Sequence, residues 1–244
     1  MEARIETTPL GSRLAVYQAG SGAPHVFMVG GLGGRSLARS PAGTMLEAAA
    51  RHGASGTIVD LSGTGGSKYA GELTMHTWIS DVEHVYSRFA RGASIWIGSS
   101  IGGWLMLLVH RRHPEWFKSM CALAPALDWD ARFLQPGIRD GNLSIADDNL
   151  MVGVAALPMS LVRSMAIFRM LDAPLLLRAP LHVIHGDEDR EAPVDASREL
   201  LKAAHGAACE LEIIPGEGHD VAKLGTRGSQ KAFERWLYHQ VTAP

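Results

Sequence analysis

A chain of 244 residues, 46% apolar and 20% charged with a formal net charge of −2, is long enough to bury one sizeable core and carries no basic excess for nucleic acid. No apolar run reaches the ~18 residues of a membrane span, and the opening MEARIETTPLGSRL lacks a basic segment followed by an apolar one. The expectation is a cytoplasmic single domain acting on a small molecule, and the isolated Cys121 and Cys209, without CxxC spacing, predict neither a disulfide framework nor a zinc site.

In chain order, RLAVYQA at 13–19 reads as an antiparallel edge strand. HVFMV at 25–29, GTIVD at 56–60, SIWIG at 94–98, SMCALA at 119–124, LHVIH at 181–185 and ELEII at 210–214 read as strands of a mostly parallel sheet. Helical spacing fills residues 38–53, 74–90, 102–114, 195–206 and 228–240 between or after them. This alternation predicts an α/β fold with helices on both sheet faces. It lapses over about 126–177, where NLMVGVAALP and SLVRSMAIFRML look like apolar helical fragments and no strand is evident. Such an insertion predicts a small helical cap over the carboxyl edge of the sheet. Its Met151, Met159, Met165 and Met170 suit an adaptable apolar wall, or else pack the cap onto the body.

The chemistry centres on WIGSSIGGW, residues 96–104, where a strand runs straight into an apolar helix. A nucleophile elbow needs glycine two residues before and two after its serine, because the sharp turn crowds both positions. Ser100 has Gly98 and Gly102 there, whereas Ser99 has Ile97 and Ile101. A plain serine N-cap would not account for Gly102 and Gly103 inside the helix, where each costs about 1 kcal/mol against alanine.

A serine hydroxyl needs a base, and the base needs an acid to hold its tautomer. HGDEDREAPV offers Asp187, Glu188 and Asp189 just after a strand, at the edge where α/β sheets present their sites. IIPGEGHDV then offers His219 after the last strand. Among the other histidines, His110 and His113 lie near a helix C-terminus, where a partly charged imidazole suits the macrodipole. His52, His205 and His239 read as surface or capping positions, and His185, a distant rival, as packing at the end of its strand.

Two glycine-rich loops invite a nucleotide reading and fail it. GGLGGRS places Ser36 where a dinucleotide fold needs its third glycine, and SGTGGSKY lacks the Gly-Lys-Ser/Thr ending of a P-loop. No cofactor and no metal are expected.

Together these features resemble the α/β-hydrolase superfamily over about residues 13–240. IGSSIGGWLML, APALDW, HGDEDREAPV and GEGHD are similar, more narrowly, to small serine hydrolases related to the palmitoyl-protein thioesterase that also cleaves acyl glucuronides. The resemblance implies that the acid is Asp189, three residues after Gly186, and that Asp187 is its neighbour. It implies an oxyanion hole from the backbone N–H groups of Ile101 and of Gly31, with Leu32 the alternative to Gly31. Asp60 with LSGTGGS resembles the superfamily's D-x-x-G-x-G-x-S turn, a piece of loop architecture. The chain departs from the pattern at Ala192, where valine is usual, and at Asp220, where relatives often carry arginine.

The activity so implied is hydrolysis of a small-molecule carboxylic ester or acyl thioester through an acyl-enzyme. The cap and the resemblance favour an acyl group of intermediate or long chain, with a short-chain carboxylesterase open. A ligand receptor on the same fold, a perhydrolase or a carbon–carbon hydrolase are the alternatives.

Overall fold

A computed structural model describes residues 1, 3–32, 36–90, 92–153 and 155–242. The chain begins with β1 (Ala3–Thr7), β2 (Arg13–Ala19) and β3 (His25–Val29), then α1 (Pro41–Arg51), β4 (Ser55–Val59), α2 (Met75–Phe89), β5 (Ser94–Ser99), α3 (Ile101–Arg112) and β6 (Phe117–Leu123). Next come α4 (Gln135–Arg139), three short strands β7 (Ser144–Ala146), β8 (Asn149–Val152) and β9 (Ala155–Pro158), and α5 (Met159–Met165). The chain continues with β10 (Leu175–Leu177), β11 (Leu181–Gly186), α6 (Asp195–Ala203), β12 (Ala204–Gly206), β13 (Cys209–Ile214) and α7 (Arg227–Thr242).

Among the described residues, eight strands form the main sheet in the order β1-β2-β4-β3-β5-β6-β11-β13. From β4 to β13 all neighbours are parallel, while β1 and β2 add antiparallel pairs at one side. RLAVYQA is therefore one strand in from the edge that the sequence assigned it, because Ala3–Thr7 pairs along its outer side.

The inner strands read as unbroken apolar runs because both faces are covered. Phe27, Val29 and Trp96 point into the core shared with α2 and α3, whereas Val26, Met28, Ile95 and Ile97 point into the core shared with α1 and α7. α3 is buried from Ile101 through His110, so it runs inside the protein and its first turn has no room for large side chains.

The stretch between β6 and β11 differs from the helical cap that the sequence predicts. It holds α4 and α5, but NLMVGVAALP forms β8 and β9, which join β7 in an antiparallel sheet. The reason is turn chemistry. Asp147 and Asp148 both have positive φ, 48° and 57°, and close a two-residue hairpin turn that pairs Ala146 with Asn149. Gly153 at φ 57° begins the next turn, and Val154 lies outside the described residues. Leu150 and Leu157 then face each other across the strands and are buried against Leu161 and Met165.

Candidate active site

β5 delivers the chain to the elbow at its carboxyl end. Ser100 sits at φ 53°, ψ −121°, a conformation that L-residues rarely adopt. It is held there by its own N–H donating to Leu123 O at 2.9 Å and by its carbonyl accepting from Gly103 N at 2.9 Å and Ala126 N at 3.1 Å. The glycine spacing has a steric cause. A Cβ at position 98 would lie 2.6 Å from Gly102 O, and one at position 102 would lie 2.4 Å from Val29 O.

Ser100 Oγ lies 3.0 Å from His219 Nε2, and His219 Nδ1 lies 2.7 Å from Asp189 Oδ2, so three elements far apart in sequence meet at one point. His219 opens a short 3₁₀ segment, His219–Lys223, after β13, and Asp189 follows β11. In this arrangement Nδ1–H donates to the carboxylate, which leaves Nε2 free to accept the Ser100 proton. The other carboxylates after β11 do not reach the ring. Asp187 accepts the Gly216 N–H at 2.6 Å and caps the glycine-rich loop, and the Glu188 side chain is exposed.

Asp189 is fully occupied. Its Oδ1 accepts from Glu191 N at 2.9 Å and Ala192 N at 2.8 Å. His185 Nε2–H donates to Ala192 O at 2.8 Å and leans to within 3.3 Å of Asp189 Oδ2, while its Nδ1 lies 2.8 Å from Ser197 Oγ and accepts from it. Burial alone would raise the Asp189 carboxyl. Hydrogen bonds from His185 and His219, the charge of His219 and the Ala192 amide outweigh burial and hold it well below the usual carboxylate range. Position in the sequence marked His185 as strand-end packing. Its contact with the acid needs α6 and the loop after Asp189 to be in place.

A cavity of about 750 Å³ opens at Ser100. Gly31, Leu32 and Ile101 border it, and a Cβ on Gly31 would be 2.8 Å from Ser100 Cβ, so the backbone of that loop lies directly against the nucleophile position. Gly33, Gly34 and Arg35, in the rest of the loop, lie outside the described residues. The cap contributes Val152, Gly153 and Ala155 to the wall, and Trp129 flanks them. Met151, Met159, Met165 and Met170 are not part of this wall, and Met165 and Met170 are buried between cap and body. These two pack the cap down, and at the β8–β9 hairpin Val152 and Ala155, not Met151, line the cavity.

Charge at the rim comes from Arg39, Glu191, Asp220 and Lys223, all exposed, with Asp60 buried beneath. Asp60 Oδ2 accepts from Gly66 N at 3.0 Å and from Tyr17 Oη at 3.4 Å, which fastens the 60–67 loop. His110 also departs from expectation. It is buried, its Nε2 accepts from Arg178 N at 3.2 Å, and burial with the Arg178 charge lowers it to about 4, so it is neutral and offers no charge to the helix macrodipole. Among the described residues no group of three or more His, Cys, Asp or Glu side chains is placed to hold a metal ion, and no helix is long and apolar enough to cross a membrane.

Residues 88–242 match the prolyl oligopeptidase family, a stretch that contains Ser100, Asp189 and His219. The chain belongs to that family. Its fold is that of the α/β-hydrolases: a putative hydrolase from Agrobacterium vitis S4 superposes with a TM-score of 0.84 at 18% identity, covering 98% of both chains. The α/β-hydrolase domain-containing protein 10 from mouse superposes with a TM-score of 0.83 at 19% identity, covering 99% of this chain and 98% of its own. By sequence this family member is 29% identical over 164 residues to the mitochondrial palmitoyl-protein thioesterase ABHD10 of Rattus norvegicus, a match that covers 64% of this chain. The matched region spans about half of that relative, 54% of its length.

Proposed function

We propose that this chain is a serine hydrolase that cleaves carboxylic esters or acyl thioesters through an acyl-enzyme. The observation that carries the reading is the unbroken series from Ser100 Oγ through His219 to Asp189, with contacts of 3.0 and 2.7 Å. Ser100 Oγ attacks the carbonyl carbon as His219 Nε2 takes its proton. The carbonyl oxygen becomes an oxyanion held by the N–H groups of Gly31 and Ile101, and Asp189 stabilises the imidazolium. Collapse expels the alkoxide or thiolate, which takes the proton from His219. Water then gives its proton to the same nitrogen as it attacks the acyl-enzyme, and collapse breaks the bond to Ser100 Oγ, which takes that proton back as the acid leaves.

Similarity to the rat palmitoyl-protein thioesterase supports an acyl thioester or ester as substrate. The cavity lining supports compact acyl groups over long chains. Its apolar lining, which includes Leu32, Leu37, Ile101, Trp129 and Val152, is joined by Ser36, Ser40, Asp60 and Thr64, polar groups that a long hydrocarbon chain would leave unpaired.

The test is Ser100→Ala against wild type, with short p-nitrophenyl esters, acyl thioesters and a fluorophosphonate probe. Loss of both steady-state hydrolysis and labelling is expected. Retained labelling would remove Ser100 from the mechanism, and a single stoichiometric burst without turnover in the wild type would instead favour a ligand receptor.

A further inference from the structure

Ser99 stands beside the nucleophile position and takes no part in the chemistry described so far. Its hydroxyl is buried and donates to the carbonyl of Ala222 at 2.6 Å, across 123 positions of sequence. Ala222 lies in the same short 3₁₀ segment as His219.

Val221 and Ala222 pack this segment into the core, but packing sets no register along the turn, and the segment has few other hydrogen-bonded anchors. Its backbone hydrogen bonds are local: Val221 N to Gly218 O at 3.3 Å, Leu224 N to Val221 O at 3.0 Å and Gly225 N to Asp220 O at 2.9 Å. Gln230 Nε2 reaches Leu224 O at 2.8 Å from α7, just beyond the segment. Among the described residues, Ser99 makes the one hydrogen bond from the main sheet to the backbone of this segment. A 3₁₀ turn of five residues has little stability of its own, and positions three apart lie along one edge of it. Positions 219 and 222 are three apart. The two serines of the elbow therefore grip one edge of one turn, Ser100 at the His219 ring and Ser99 at the Ala222 carbonyl.

We infer that Ser99 is a positioning residue for the base: its hydroxyl holds the His219 segment in register with the elbow, so that Nε2 meets Ser100 Oγ. The inference rests on the reading of Ser100 as nucleophile and His219 as base. It gives Ser99 a role that its small size alone does not supply. A side chain of equal size without a donor leaves the Ala222 carbonyl unpaired in a buried place and frees the segment to shift, and a displacement of about 1 Å at such a site costs on the order of a hundredfold in rate.

The experiment compares Ser99→Thr with Ser99→Val, two variants of nearly equal volume that differ in the hydroxyl, alongside wild type, Ser99→Ala and Ser100→Ala. Each is assayed at 25 °C for kcat and KM on a p-nitrophenyl ester and for its rate of fluorophosphonate labelling, with Tm recorded. The expected result is that Ser99→Val loses about 10- to 100-fold in kcat and in labelling rate with KM within about twofold, while Ser99→Thr stays within several-fold of wild type. Ser99→Ala follows Ser99→Val. Equal rates for the threonine and valine variants, fast or slow, would overturn the inference, because the hydroxyl would then not be what matters. If Ser100→Ala still labels, it is the reading of the nucleophile that fails, an outcome separate from any result at position 99.

Discussion

His185 Nε2 lies 3.3 Å from Asp189 Oδ2, the same carboxylate oxygen that meets the Nδ1–H of His219. The acid is thus held between two imidazoles, one facing the cavity and one wholly buried. The buried ring joins α6, through Ser197, to the loop that carries the acid, through Ala192.

Replacing His185 by leucine strands two buried partners, the Ala192 carbonyl and the Ser197 hydroxyl. Each unpaired group costs about 1 to 3 kcal/mol. We expect a fall in Tm together with a lower kcat, because the loop from Asp189 to Ala192 loses a tie. Thermal unfolding and steady-state kinetics on one ester check both, and unchanged kcat at full folding would show that the acid is held well enough by its two amides.

The positive φ of Ser100 carries a stability cost. A non-glycine residue held in a sparsely populated region costs about 1 to 3 kcal/mol. Ser100→Gly is therefore expected to be inactive yet to melt at a higher temperature than Ser100→Ala, which keeps the strained backbone. Calorimetry on the two variants decides it.

Gly102 has no space for a side chain, since a Cβ would lie 2.4 Å from Val29 O and 2.5 Å from Gly30 O. Gly102→Ala pushes apart α3 and the end of β3, the strand that leads into Gly31. We expect a loss of about 2 kcal/mol or more in denaturant titration, and slower labelling by a fluorophosphonate in the molecules that remain folded.

Two buried groups set opposite pH responses. Burial raises Asp81 to about 6 against hydrogen bonds from Ser62 and the charge of His84. Its folded pKa exceeds its unfolded one, so its buried charge penalises folding fully above pH 6, and the penalty fades as pH falls towards the ordinary carboxylate value. Asp81→Asn should raise Tm at pH 8 and change it little at pH 4. His110 is the reverse: lowered to about 4 by burial and Arg178, it resists the proton that the unfolded chain accepts, so stability is lost as pH falls from 6.5 towards 4. His110→Gln should flatten that part of the Tm profile.

The cavity wall makes a prediction about substrate size. Trp129 borders the cavity, its Nε1–H donates to Glu191 O at 2.7 Å, and its ring stacks on Phe133 with centroids 5.4 Å apart. Trp129→Ala should raise KM for esters of compact acids, whereas Met151→Leu and Met159→Leu should leave it unchanged. Across p-nitrophenyl esters of increasing chain length, kcat/KM should peak at short acyl groups. A peak at the longest chains would refute the compact-acyl reading.

What the sequence determined by itself is what neighbouring residues decide through local sterics. Alternating apolar runs and helical spacing placed the inner strands and the main helices within a few residues, and His25–Val29 and Arg13–Ala19 match to the residue. The glycines at 98 and 102 single out Ser100 over Ser99 because their backbone crowding is a property of one turn. The tertiary structure alone decided questions of who meets whom. Three carboxyls follow β11, and only the return of the chain 30 residues later puts His219 against Asp189 while Gly216 takes Asp187. The same holds for His110, which position near a helix end marks as a partly charged partner of the macrodipole and which burial with the Arg178 charge makes neutral. In the cap, apolar content reads as helix, but two aspartates at positive φ turn it into a hairpin, and Met159, Met165 and Met170 pack against the core and do not line the cavity. Burial and partnership depend on segments a hundred residues away, and no window of sequence around Ser99 contains the carbonyl of Ala222 to which its hydroxyl is bonded.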